Sequence, residues 1–203
     1  MRIEEAKWLS EQLKRLDGSS FKVLNIGSST GEFREIVQPH IDELVFRPLR
    51  DKNKQVVHCD IKQDNGVDLV GNILEREFAD KVKEMIFPVV ICSNVLEHVE
   101  QYREFASALE YIMPAGCHLL ITVPNIYPYH KDLIDTKFRP GVEELKALFP
   151  ACSLVEGNVI QSYESHAGTL IRNPRSLFLT IKNWIVPRFG IREWILRLSD
   201  VPN

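Results

Sequence analysis

No pair of cysteines in this sequence has metal-binding or redox spacing: Cys59, Cys92, Cys117 and Cys152 lie far apart, inside apolar runs. That excludes a C-x-x-C centre and a disulfide framework, and leaves four small hydrophobes of a reduced, cytoplasmic protein. Positive charge is not in excess either. With 25 Lys and Arg against 28 Asp and Glu, the net charge of −3 argues against a general nucleic-acid binder and makes a small organic molecule the expected partner. Every apolar run is broken by charge well before the ~20 residues that a bilayer-spanning helix needs. Met1 to Lys7 is charged where a secretory signal would be apolar. Internal repeats and low-complexity tracts are absent, so the 203 residues read as one domain.

What is present is alternation. Ile3, Trp8, Leu9, Leu13 and Leu16 recur at helical spacing, which predicts an amphipathic helix within residues 1–18 that caps a sheet edge. Apolar runs at Phe21 to Ile26, Gln55 to Cys59, Val67 to Val70, Phe87 to Cys92 and Cys117 to Val123 read as buried parallel strands. Helical stretches fall between and after them, at Glu32 to Val37 (stopped by Pro39), Glu75 to Met85, Tyr102 to Met113 and Val142 to Phe149. The expected fold is α/β, a doubly wound and mostly parallel sheet whose ligand lies beyond the carboxyl ends of the strands. Residues 19–172 would form this core with its substrate loop. Residues 173–203 form a basic tail in which five cations face only Glu193 and Asp200. Its Trp184, Trp194 and aliphatic residues fit either contact with an anionic membrane or a flap that completes the core or a homodimer interface, with the tail against one sheet edge.

The chemistry-bearing residues follow the strand ends. Gly27-Ser28-Ser29-Thr30-Gly31 is a small-residue turn between a strand and a helix, where the main chain can approach a ligand. Asp60 follows the second strand, where a doubly wound fold places an acid against ribose hydroxyls, and Asn72 follows the third. Ser93-Asn94-Val95-Leu96-Glu97-His98-Val99 follows the fourth. After the fifth comes a polar loop, Asn125 to Pro140, with Tyr127, Tyr129, His130, Asp132, Asp135, Lys137 and Arg139. His130, Asp132 and Asp135 fix no coordination geometry, and a hydrogen-bonded loop without metal is the expected arrangement. Tyr127 and Lys131 have the Y-x-x-x-K spacing of short-chain dehydrogenases. Pro128 inside it would break the helix that motif needs, and the glycine loop lacks G-x-G-x-x-G.

Taken in order, the Gly27 loop, Asp60, Gly66 to Asn72, Val95 to Val99 and Leu120 to Asn125 resemble the successive motifs of class I S-adenosylmethionine-dependent methyltransferases, in the branch acting on small molecules, sugars and lipid precursors. The resemblance covers residues ~20–150 and implies a seven-stranded Rossmann-like sheet with S-adenosyl-L-methionine as cofactor. It further implies that Asn25, Gly27, Ser29 and Gly31 hold the methionine part and Asp60 the ribose. Asn72 and Ile73 would flank adenine, and Ser93 and Asn94 would line the methyl-donor pocket. The acceptor would be a small or sugar-like hydroxyl compound gripped by Tyr127, Tyr129, Asp132, Asp135 and Arg139. His130 and His98 are the candidate bases. The family usually has an acid where Asn25 and Asn72 stand and a glycine where Ser29 stands, so a binding domain without turnover is the alternative.

Overall fold

A computed structural model describes residues 1–16, 21–126, 136–162 and 191–199, the last nine as backbone. Among them the strands are β1 (Lys22–Ile26), β2 (Gln55–Asp60), β3 (Leu69–Val70), β4 (Val89–Ser93), β5 (His118–Ile126), β6 (Ser153–Ser162) and β7 (Ile191–Ser199). Their order across the sheet is β3-β2-β1-β4-β5-β7-β6. Strands β1 to β5 run parallel, whereas β7 pairs antiparallel with both β5 and β6. The expected mostly parallel, doubly wound arrangement is thus observed, and the order reverses between β1 and β4, which opens a crevice at their carboxyl ends.

Alternation along each strand sorts the core into two layers. Leu24, Ile26, Val90, Cys92, Leu119 and Ile121 face α4 (Arg76–Glu84), α5 (Tyr102–Ile112) and α6 (Val142–Ala147). Val23, Val89, Ile91 and Leu120 face the other way, against α1 (Ile3–Arg15) and the helical run 39–51. The four cysteines are free and buried, and burial pushes the Cys59 and Cys117 thiols up to about 12. No helix among the described residues is long and apolar enough to cross a membrane.

Helix α1 packs on the sheet face toward its β6 edge: Ala6, Trp8, Leu9 and Leu13 join the apolar layer with Ile91 and Leu120, and Trp8, Gln12 and Arg15 donate to Glu156 on the edge strand. Two expectations need correction. Pro39 ends α2 (Phe33–Val37, a π-helical segment) but also starts a second run, α3, made of Pro39–Ile41, Asp42–Phe46 and Arg47–Asp51 in unbroken succession. A proline at the first helical position loses no hydrogen bond. Finally, residues 191–199 of the tail are not laid against an edge but form β7, inside the sheet. The rest of the tail lies outside the described residues, as do Tyr127, Tyr129, His130, Asp132 and Asp135.

Candidate functional site

The β1–α2 loop is built by unusual backbone. Gly27 has φ +66°, and a Cβ there would stand 2.3 Å from Val95 Cγ2, so only glycine fits. Ser28 N–H continues the ladder to Cys59 O at 3.0 Å. Ser29 has φ +55°, and its N–H donates to Asp60 Oδ2 at 2.8 Å. Thr30 Oγ1 accepts from Phe33 N–H at 3.0 Å and satisfies a donor of the first helical turn. Arg34, 3% exposed, grips the loop from beneath: Nη1 donates to Ser28 O at 2.9 Å and Ser29 O at 2.7 Å, and Nη2 to Gly66 O at 2.6 Å. Burial lowers its pKa, opposed by Glu35, Asp68 and Asp42.

Ser29 is a non-glycine residue in the left-handed region, and the bonds it makes here are all through its backbone. Ser29→Gly therefore keeps every one and removes the strain. It is expected to raise stability by about 0.5–1 kcal/mol, a rise of a few degrees in Tm. Thermal unfolding checks this, and a fall in Tm would mean that the hydroxyl holds something.

Above this loop lies a cleft of about 960 Å³. Its walls include Asn25, Gly27, Ser29, Asp60, Asn72, Ile73, Ser93, Asn94 and His98, nine of the residues singled out from the sequence. Gly31 is not among them. It packs on the Asn65–Gly66 backbone, with its N–H donating to Asn65 O at 2.8 Å. Arg139 also lies off the cleft wall, with Nη1 donating to Phe138 O at 3.1 Å. Asp60 Oδ1 accepts from Lys62 N–H at 3.1 Å, so each carboxylate oxygen already takes one backbone donor and has room for another. Asn72 Oδ1 accepts from Leu74 N–H at 3.0 Å beside the buried Ile73.

Asn25 and its cross-strand partner His58 explain one departure from the family pattern. The amide Nδ2 donates to His58 Nδ1 at 3.0 Å. Burial first, then the nearby Arg34, lowers the His58 pKa to about 4, so its ring is neutral and can accept. An aspartate at position 25 would need a proton on that same nitrogen.

Two buried carboxyl groups not chosen as site residues from the sequence lie at and behind the cleft wall, Glu97 on it and Glu5 off it. Glu5, fully buried on α1, has Oε1 accepting from Asn94 Nδ2 and Thr122 Oγ1 and Oε2 accepting from Arg2 N–H. Glu97, 3% exposed in the turn Leu96–His98, lines the cleft and leaves Oε2 without a partner. Burial pushes it up to about 8. Ser93 Oγ is likewise buried and unpartnered on the cleft wall. His98 Nε2 stands 3.8 Å from Glu97 Oε1. The backbone carbonyl of Glu97 accepts from Thr136 N–H at 2.9 Å, which fixes the far end of the polar loop beside this turn. Glu5 was legible in one respect: with Trp8, Leu9 and Gln12 it makes an i, i+3, i+4, i+7 stripe of buried positions.

The sequence matches no family model and no curated protein. Solved structures do match. An S-adenosylmethionine-dependent methyltransferase from Archaeoglobus fulgidus aligns with TM-score 0.51 and 14% identity, over 96% of this chain and 94% of its own. The 1,6-didemethyltoxoflavin-N1-methyltransferase of Burkholderia thailandensis, solved with bound 1,6-didemethyltoxoflavin and S-adenosylhomocysteine, aligns with TM-score 0.53 and 13% identity, over 98% and 79%. The [4+2]-cyclase SpnF aligns with TM-score 0.56 and 11% identity, over 96% and 80%. The chain has the fold of the class I S-adenosylmethionine-dependent methyltransferases, a fold that also carries other chemistry.

Proposed function

We propose that this protein is an S-adenosyl-L-methionine-dependent methyltransferase acting on a small acceptor at oxygen. The observation that carries the reading is the cleft at the β1/β4 reversal, walled by a glycine loop, by the acid at the end of β2 and by the turn after β4. At about 960 Å³ it has room for an amino-acid-bearing nucleoside and an acceptor beside it. The residues fit that group. Gly27 presents bare backbone on the cleft wall, Val95 filling the place where its Cβ would stand, and the unpartnered Ser93 Oγ and Glu97 Oε2 call for polar atoms from a ligand.

In this reading Gly27 and Ser29 present backbone to the methionine part and Asp60 accepts from ribose hydroxyls. Asn72 and Ile73 flank adenine, and Ser93 and Asn94 border the methyl-transfer point. The cofactor supplies a methyl group on a positively charged sulfur, and the chain's part is to align the acceptor with it and exclude water. A small or sugar-like hydroxyl acceptor would give up its proton to His98, on the cleft wall, or to His130 on the loop. The competing reading is a cofactor-binding domain without turnover, favoured by one feature: Asn25 offers an amide, already engaged with His58, where a carboxylate could meet an ammonium group.

Calorimetric titration with S-adenosylhomocysteine tests the proposal. The wild-type chain should bind, and Asp60→Ala, which removes a charged acceptor and frees the Ser29 N–H, should weaken binding about 10- to 100-fold, or about 1.5–3 kcal/mol. A wild-type protein that gives no binding heat would remove the reading. Binding without methylation of any acceptor would favour the second.

A further inference from the structure

The Glu97 carboxyl is the ionisable group among the described residues of the cleft wall that is left buried with an unpartnered oxygen. It sits where hydrocarbon would cost less, in a turn between the buried Leu96 and the partly buried Val99, and no side chain or backbone group meets its Oε2. A buried polar atom left unmatched is expensive, and a fold that keeps one holds it for something that arrives later. The turn lies close to the glycine loop: Val95, two residues before Glu97, is the side chain that Gly27 touches. Ser93 Oγ, also unmatched, is on the same wall.

We propose that Glu97 is the charge partner of the methyl donor, a carboxyl that gives up its proton when a sulfonium binds in the cleft and stays protonated when the neutral thioether product binds. This rests on the cofactor reading above. The charged groups around Glu97 do not already do this work. On its own turn His98 stands 3.8 Å from the other oxygen, Oε1. From α1 comes a second carboxyl, Glu5, which disfavours ionisation; Arg139, ahead of α6, and the amino terminus favour it. The balance leaves the group neutral in the empty cleft, with a pKa near 8 set chiefly by burial. A unit positive charge beside it reverses that balance. Loss of that charge during methyl transfer restores it, so Glu97 can take up a proton at the stage when the acceptor must shed one.

The sign follows by linkage. Below pH 8 the empty site holds the proton, so binding that ionises Glu97 releases it and grows stronger as pH rises. Above pH 8 the proton is already gone. Titration calorimetry at pH 7, in two buffers of different ionisation enthalpy, counts the protons. S-adenosylmethionine should release most of one proton per site and S-adenosylhomocysteine almost none. The affinity ratio of the two should climb severalfold per pH unit from 6 to 8 and then level off. Glu97→Gln, whatever its absolute affinities, should release no proton on binding S-adenosylmethionine and show a flat ratio. Equal proton counts for the two ligands, or a count unchanged in Glu97→Gln, would overturn the proposal while leaving the cofactor reading intact. Failure of both ligands to bind would remove that reading, and this inference with it.

Discussion

Replacing Arg34 by Met is expected to cost about 3–5 kcal/mol of folding stability and to abolish cofactor-class binding, because one buried guanidinium holds three backbone carbonyls that nothing else reaches in the same way. Ser28 O and Ser29 O belong to the loop, and Gly66 O to the turn before β3. The fork thus ties the left-handed backbone at Ser29 to the Gly31–Gly66 contact, where a Cβ on Gly66 would come within 2.8 Å of the neighbouring backbone. Without it Ser28 O and Gly66 O lose the guanidinium donor and Ser29 O keeps only the Ser28 hydroxyl at 3.1 Å, and Ser29 relaxes out of its strained conformation. Arg34→Lys should recover only part of the loss, since an ammonium on a flexible stem cannot direct donors at three carbonyls from one plane. Urea unfolding gives the stability, with an unchanged m-value expected if the change acts on the native loop. A Met variant within 1 kcal/mol of wild type would mean that water satisfies those carbonyls and that the loop is held by Asp60 alone.

The same residue shows where sequence reading stops. Strands β1, β4 and β5 were legible because strands buried on both faces are runs of Val, Ile, Leu and Cys, and β2 because Val56, Val57 and Cys59 form a short apolar run; the loops after such strands are where a doubly wound sheet binds its ligand. That reasoning picked out Gly27, Asp60, Asn72 and Ser93, which line the cleft. It could not find Arg34 or Glu97, because a charged letter reads as solvent-facing unless its burial is known. Helix α3 was hidden for a related reason. Asp42 is buried but paired with Arg50 at 2.7 Å and Arg47 at 3.4 Å, which puts an acid where the apolar period expects a hydrophobe. Strand β6 carries Glu156, Gly157 and Asn158 and lies at the sheet's edge, where polar residues are tolerated and no apolar run marks it. Strand β7 is threaded with Arg192, Glu193 and Arg197, and its charges read as a tail. Gly31 was misread in the opposite sense: the glycine was visible, but its neighbour is the Asn65–Gly66 backbone and not the cleft.

Gly27→Ala separates the two demands that meet at the mouth of the cleft. The backbone at φ +66° costs an alanine about 1–2 kcal/mol by itself. The new Cβ would also lie 2.3 Å from Val95 Cγ2, far inside contact distance. Val95 is β-branched and cannot simply swing away, so the turn that carries Glu97 must move or the loop must open. The sum should reach about 2–4 kcal/mol in stability, with loss of S-adenosylhomocysteine binding beyond detection. Val95→Ala in the same chain removes the clash but not the backbone strain. The double variant should therefore be more stable than Gly27→Ala despite carrying a second truncation, a favourable coupling of about 1–2 kcal/mol in a double-mutant cycle. Additive losses would show that strain alone acts at position 27. The contact between the glycine loop and the Glu97 turn would then not be what shapes the cleft.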